Sequence, residues 1–239
     1  MEQITSLFNH QFSFWIMLIS AILVAKTPLR TPFQWMETFF HELSHGLAAI
    51  FTIGWIHSIK LHWDGSGVCY TRGGLRIIIL LAGYIGAALW GGFIYLAGWT
   101  LDTTGDTQML YFLIGLLTIV TVLWVRNPTT LLIMATMAII FYIPTQLLEY
   151  SLPAYAIEFF GLYVVQSAIT APLHLIDGKH KGDGAALADI TLIFPEGVWI
   201  LLWFTTASLT LLYLWVWTTG ITIASLNWLP YLNLSLIAN

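Results

Sequence analysis

Residues 77–99, IIILLAGYIGAALWGGFIYLAGW, run without a charged side chain. Hydrocarbon offers no partner to a peptide N–H or C=O, so an apolar stretch of about 20 residues can cross a bilayer only as a helix that satisfies its own backbone. Stretches of this kind recur along the chain. Pro, Gly and charged residues divide it into eight candidate spans, at 8–25, 33–56, 75–99, 109–125, 129–148, 155–175, 197–217 and 219–237. Composition agrees: of 239 residues 58% are hydrophobic and 8% charged, with a mean hydropathy of +0.82, whereas a soluble domain carries about 25% charged residues. The sequence predicts an all-α, multi-pass integral membrane protein, a bundle of about six to eight transmembrane helices forming one domain over residues 1–239. The first 30 residues have no basic segment before their apolar run and no small-residue cleavage pattern, and are expected to be a retained span.

Two stretches resist a spanning reading. Residues 57–74, HSIKLHWDGSGVCYTRGG, alternate in character around Gly65 and Gly67 and predict a β-hairpin. Residues 176–196, the most polar block, predict a loop and a short or re-entrant helix after Asp183. Strict alternation of eight spans places Lys60, Arg72, Arg76, Arg126, Lys179 and Lys181 on one side, which the positive-inside rule makes cytoplasmic together with both termini, and Lys26 and Arg30 on the other. A net charge of -4 with no basic stripe gives no case for nucleic acid. Cys69, the single cysteine, rules out an intrachain disulfide framework.

Residues 39–50, FFHELSHGLAAI, set three ionisable side chains in an apolar stretch, and such residues within a membrane segment point to a functional site. HELSH fits H-E-x-x-H. On a helix the i, i+4 spacing turns His41 and His45 to one face, where two imidazoles reach one tetrahedral Zn²⁺, and Glu42 lies beside them as a candidate general base. That chemistry needs all three residues at this spacing, because the glutamate acts on a water that the metal polarises and is not itself a ligand.

With these residues in view, the chain resembles the site-2 protease family of intramembrane zinc metallopeptidases, in its short bacterial and plant branch. The resemblance rests on HELSHGLAAIFTIGWIHSIKLHWDGSGVCYTRGG at 41–74, LAGYIGAALWGG at 81–92, GDGAALADIT at 182–191, and Pro195 and Trp199, with a core spanning 33–199. It implies a zinc site within the bilayer of a multi-pass protein, here of a bacterial inner membrane, that cleaves peptide bonds of transmembrane protein substrates. It also implies a third metal ligand, an aspartate followed by glycine: Asp183 in GDG, or alternatively Asp177 in LIDG. A physical tension attaches to both. Strict eight-span alternation puts 177–183 on the side away from the nearer membrane face of His41, so either the polar block dips inward or the span count is wrong. The family's hairpin strand is expected to pair with unwound substrate, which makes Gly67 a candidate substrate contact. The asparagine that often assists the oxyanion in the wider family is absent from 75–99, leaving Tyr84 as the substitute candidate.

Gly83, Gly86, Gly91 and Gly92 predict a small-residue face letting the third helix approach the metal helix. His57 and His62 read as solvated hairpin residues, and Trp215 and Trp217 as interfacial belt residues. A membrane di-iron oxygenase needs several clustered histidine boxes, which His10, His57, His62, His174 and His180 do not form. A non-catalytic chaperone-like protein of the same fold has no need of Glu42, and a transporter is disfavoured by the lack of internal repeats.

Overall fold

The computed structural model describes residues 2–147, 151–176 and 180–220, and side chains within the first helix from Phe12 onward. Among these, eight α-helices and one hairpin follow in order: α1 (Glu2–Val24), α2 (Arg30–Phe51), β1 (Gly54–Leu61), β2 (Gly67–Gly73), α3 (Arg76–Thr104), α4 (Gln108–Trp124), α5 (Pro128–Gln146), α6 (Ser151–Thr170), α7 (Asp183–Thr191) and α8 (Glu196–Thr219), with a 3₁₀ turn at Pro172–Leu175. Four segments are long and apolar enough to cross a membrane: Arg76–Thr104, Pro128–Gln146, Ser151–Leu175 and Glu196–Thr219. The apolar parts of α1 and α4 are shorter, at Phe12–Val24 and Gln108–Trp124. The expected span at 219–237 lies outside the described residues beyond its first two positions.

Helix α3 is the centre of the bundle. Its most extensive contact is with α6, followed by α2 and α8. Small residues make this possible: a Cβ added at Gly161 of α6 would fall inside the Tyr95 backbone of α3. The expected glycine face divides among neighbours. Gly83 and Gly86 abut His41, Ser44 and His45 of α2, while Gly91 abuts Val164 and Val165 of α6, and Gly92 abuts Thr210 of α8. One stretch of α3 therefore packs on three helices, because 3.6 residues per turn rotate successive glycines to different directions. The largest apolar cluster joins Phe39, Phe40 and Leu43 of α2 to Ile94, Leu113, Ile133, Phe141 and Ile157. A second joins Phe14 and Leu18 of α1 to Tyr95, Leu162, Val165 and Leu214. Trp215 packs its ring against Trp15, while Trp217 is exposed.

Helix α2 stops at Phe51, five residues short of the expected boundary at 56. The Thr52 hydroxyl donates back to the Ala48 carbonyl at 2.7 Å, and Ile53 takes a left-handed φ of 66°, which turns the chain into β1. Trp55 and Ile56 look like continued helix by hydrophobicity, but they belong to the strand. Strand β1 pairs antiparallel with β2, from Gly54 opposite Gly73 to Leu61 opposite Gly67, with an irregularity at His57. His57 and His62 are exposed.

Polar contacts fasten the hairpin to the bundle. The Leu61 N–H donates to the Thr130 hydroxyl oxygen of α5 at 2.8 Å, where Asn127 caps that helix through the Thr130 N–H. The Thr38 hydroxyl of α2 donates to the Gly65 carbonyl at 2.6 Å. Thr130 is fully buried, so replacing it with Val strands the Leu61 N–H. We expect Thr130→Val to cost about 1–3 kcal/mol, read as a lower midpoint in reversible denaturant unfolding of the detergent-solubilised protein.

Candidate metal centre

One turn of α2 separates His41 from His45, and both rings face α3 at the level of Gly83. A Cβ at position 83 would lie 2.5 Å from His45 Cε1 and 2.6 Å from His41 Cε1. Only a glycine leaves room for both imidazoles. The His45 Nδ1 lies 2.6 Å from the Ile79 carbonyl. A carbonyl only accepts, so Nδ1 carries the proton and the neutral ring presents Nε2 as an acceptor, the tautomer that a metal ligand requires.

Asp183 opens α7 immediately after Gly182, whose φ of 88° makes the turn. Its Oδ2 lies 3.3 Å from His41 Nε2 and 3.3 Å from His45 Nε2, and the two Nε2 atoms are 3.0 Å apart. A tetrahedral ion with bonds of about 2.0–2.1 Å needs ligand atoms about 3.3–3.4 Å apart, so this triangle is close to one face of such a polyhedron. Among the described residues it is the one group of three or more His, Cys, Asp or Glu side chains able to hold a metal ion. Burial raises the Asp183 carboxyl, but the two imidazoles beside it outweigh that and hold the group well below the usual carboxylate range. Asp177 lies outside the described residues.

The polar block does fold inward. Helix α7 packs on α3 and α8, and His180 secures the turn before it by reaching Asp189 Oδ1 at 3.0 Å and Glu196 Oε2 at 3.5 Å. The Asp189 carboxylate holds the exposed His180 imidazole above its ordinary pKa. The separation that strict eight-span alternation would impose between 177–183 and His41 is therefore not present.

Glu42 lines a cleft of about 490 Å³ together with the three candidate ligand residues, Gly67, Cys69, Thr71 and Arg76. Its Oε2 accepts the Cys69 N–H of β2 at 2.6 Å. Gly67 permits that approach, since a Cβ there would lie 2.6 Å from Thr38 Cγ2 and 3.2 Å from Glu42 Cγ. Burial, and then the Glu42 charge, push the Cys69 thiol up to about 12, so it stays protonated and is no competing nucleophile. Tyr84 does not line the cleft: its ring stands edge-on to His41 at 4.5 Å and leans on Trp203 at 4.6 Å. Arg76, the Ile79 carbonyl and the Cys69 amide take places at the site that residue patterns do not mark. The last two act through the backbone, which every residue possesses.

The family model described as Peptidase M50B-like matches residues 14–217, and the chain belongs to this family, that of the site-2 proteases. No curated protein and no solved structure among those compared matches it.

The packing at Gly83 makes a specific demand. In Gly83→Ala the rings of His41 and His45 must shift, and the affinity of the site for an added divalent metal such as zinc should fall by about 10–100-fold. Metal analysis of the purified protein after graded chelation reads this.

Proposed function

We propose that this chain is a zinc-dependent endopeptidase that hydrolyses peptide bonds of membrane-embedded protein segments. His41, His45 and Asp183 would hold the metal, and Glu42 is the general base. The observation that carries the reading is the placement of the ligand triangle, the Glu42 carboxylate and one edge of β2 around a single cleft. Zinc bound there would supply a Lewis acid that lowers the pKa of a water toward 7 and polarises a carbonyl.

The chain's own groups account for the rest. The Cys69 N–H fixes one carboxylate oxygen of Glu42, leaving the other to take a proton from the attacking water and return it to the leaving amine. A helical peptide bond is shielded by its own hydrogen bonds, so substrate must be unwound before attack. Among the described residues strand β2 pairs with β1 alone; its alternate residues Gly67, Cys69 and Thr71 direct their main-chain groups to the outer edge, where Glu42 already holds the Cys69 N–H and the other groups are left to pair. An unwound substrate segment adding to that edge would lie extended across the cleft. Arg76, exposed at the cleft wall, is placed to meet negative charge on substrate or at the developing oxyanion, a task for which Tyr84 is the less favourably placed residue.

Replacing Glu42 with Gln should leave bound zinc unchanged and reduce cleavage of a transmembrane reporter by about 10²–10⁴-fold in reconstituted protein. Undiminished cleavage would overturn the catalytic assignment. Zinc stoichiometry of Asp183→Ala against Asp177→Ala reads the third ligand. Loss in the first with retention in the second is the expected result, and the reverse pattern transfers the role to Asp177.

A further inference from the structure

A second cavity, of about 630 Å³, opens between α1, α6 and α8 and shares no lining residue with the metal cleft. Its walls are mostly apolar, from Leu18 and Ile22 on α1 to Ile169 on α6 and Leu211 on α8, with Thr170 and His174 also in the lining. Along it lie Lys26 and Arg30, both exposed, and neither forms an ion pair among the described residues. Arg30 is also the first residue of α2, a helix start with no side-chain cap and no acidic residue in its first turn, so the helix dipole adds positive potential at the same place.

A third polar group faces the cavity. Gln166 is 7% exposed; its Nε2 donates to the Thr170 hydroxyl oxygen at 3.2 Å, and its Oε1 is buried with no partner among the described residues. Turning the amide over exchanges the two atoms without removing the deficit, so one polar end of this cavity-lining residue stays buried and unpaired among the described residues either way. Gln166 lies one turn beyond Tyr163, whose hydroxyl donates to the Arg30 carbonyl at 3.5 Å. The unpaired amide and the cations therefore belong to the same end of the cavity.

Two cations without an ion pair among the described residues, and a buried amide, beside a long apolar wall suit a ligand with complementary halves. A free inorganic anion would leave the wall uncovered, and a zwitterionic lipid would bring a second cation to Lys26 and Arg30. We propose that this cavity binds an anionic glycerophospholipid. Its phosphate lies between Lys26 and Arg30, its glycerol region meets Gln166, and an acyl chain covers Ile22, Ile169 and Leu211. Basic pockets between membrane helices recognise lipid headgroups by this charge pairing.

The test uses the full-length protein, delipidated in detergent and then offered phosphatidylglycerol or phosphatidylcholine with identical acyl chains. Native mass spectrometry counts retained lipid and thermal unfolding reads its effect. Wild type should retain one phosphatidylglycerol in preference to phosphatidylcholine. Lys26→Gln and Arg30→Gln should each weaken that retention about fivefold, and Ile169→Trp should weaken it by filling the groove. Lys60→Gln removes a cation on β1, outside the cavity, and should change nothing. The exposed Lys26→Gln variant keeps the test open if Arg30→Gln fails to elute as a single species. Equal retention of the two lipids would overturn the proposal, as would an equal loss in Lys60→Gln. So would displacement of phosphatidylglycerol by millimolar inorganic phosphate, which would mark a free-anion site.

Discussion

The Nε2 atoms of His41 and His45 face each other at 3.0 Å, and two imidazole lone pairs at that separation repel unless a proton or a cation stands between them. The surroundings are arranged around this repulsion. The Ile79 carbonyl takes the proton of one ring on its far side, which aims the lone pair of His45 inward. Asp183 adds a full negative charge to the same point. Gly83 lets α3 close over both rings, which keeps them from relieving the contact by rotation. Three electron-rich atoms converging in a mostly buried setting are costly when nothing positive joins them, and a divalent cation converts the cost into binding. Electrostatics and packing together therefore favour a metal ion at this point, beyond what the motif alone implies.

This constraint also explains a fold in which the central helix is the glycine-rich one. Helix α3 must lie close to α2 over the metal ligands and close to α6 and α8 beyond them, and no single face could do both. Its glycines are spread around the axis, and each neighbour finds its own groove. The hairpin is held from both sides, by Thr38 of α2 and Thr130 of α5. The strand beside Glu42 is consequently part of the bundle's frame.

The sequence made some of this legible. The helices of the bundle stand out because lipid and core both demand unbroken apolar runs, and the hairpin stands out through Gly65 and Gly67. The end of α2 was hidden: Trp55 and Ile56 continue its hydrophobicity, while the stop is set by the Thr52 hydroxyl and the φ of Ile53. His41, Glu42 and His45 were legible from spacing, since four residues on a helix decide which side chains share a face. Asp183 could be reached only through resemblance, because its position depends on how 180–196 folds back, and His180 secures that fold through Asp189 and Glu196. Strict alternation misplaces 177–183 for the same reason: a polar block that tucks into protein does not obey the alternation of inside and outside. Ile79 and Cys69 act through backbone groups, which carry no residue signature.

The bond from the Cys69 N–H to Glu42 has a consequence for how the proposed peptidase would align substrate. Base and strand are joined by a short charge-assisted hydrogen bond, so they keep their relative position when a substrate segment arrives. Pairing along the outer edge of β2 then fixes the height of each substrate carbonyl relative to the carboxylate, in steps set by the strand repeat of about 3.3 Å. A shift of one residue reverses the direction of every main-chain group, so only alternate peptide bonds can turn a carbonyl toward the cleft. Selection of the scissile bond would then be a matter of strand register. Side chains of the substrate would act by favouring one register over the next, and local helix-breaking residues by freeing enough backbone to pair at all.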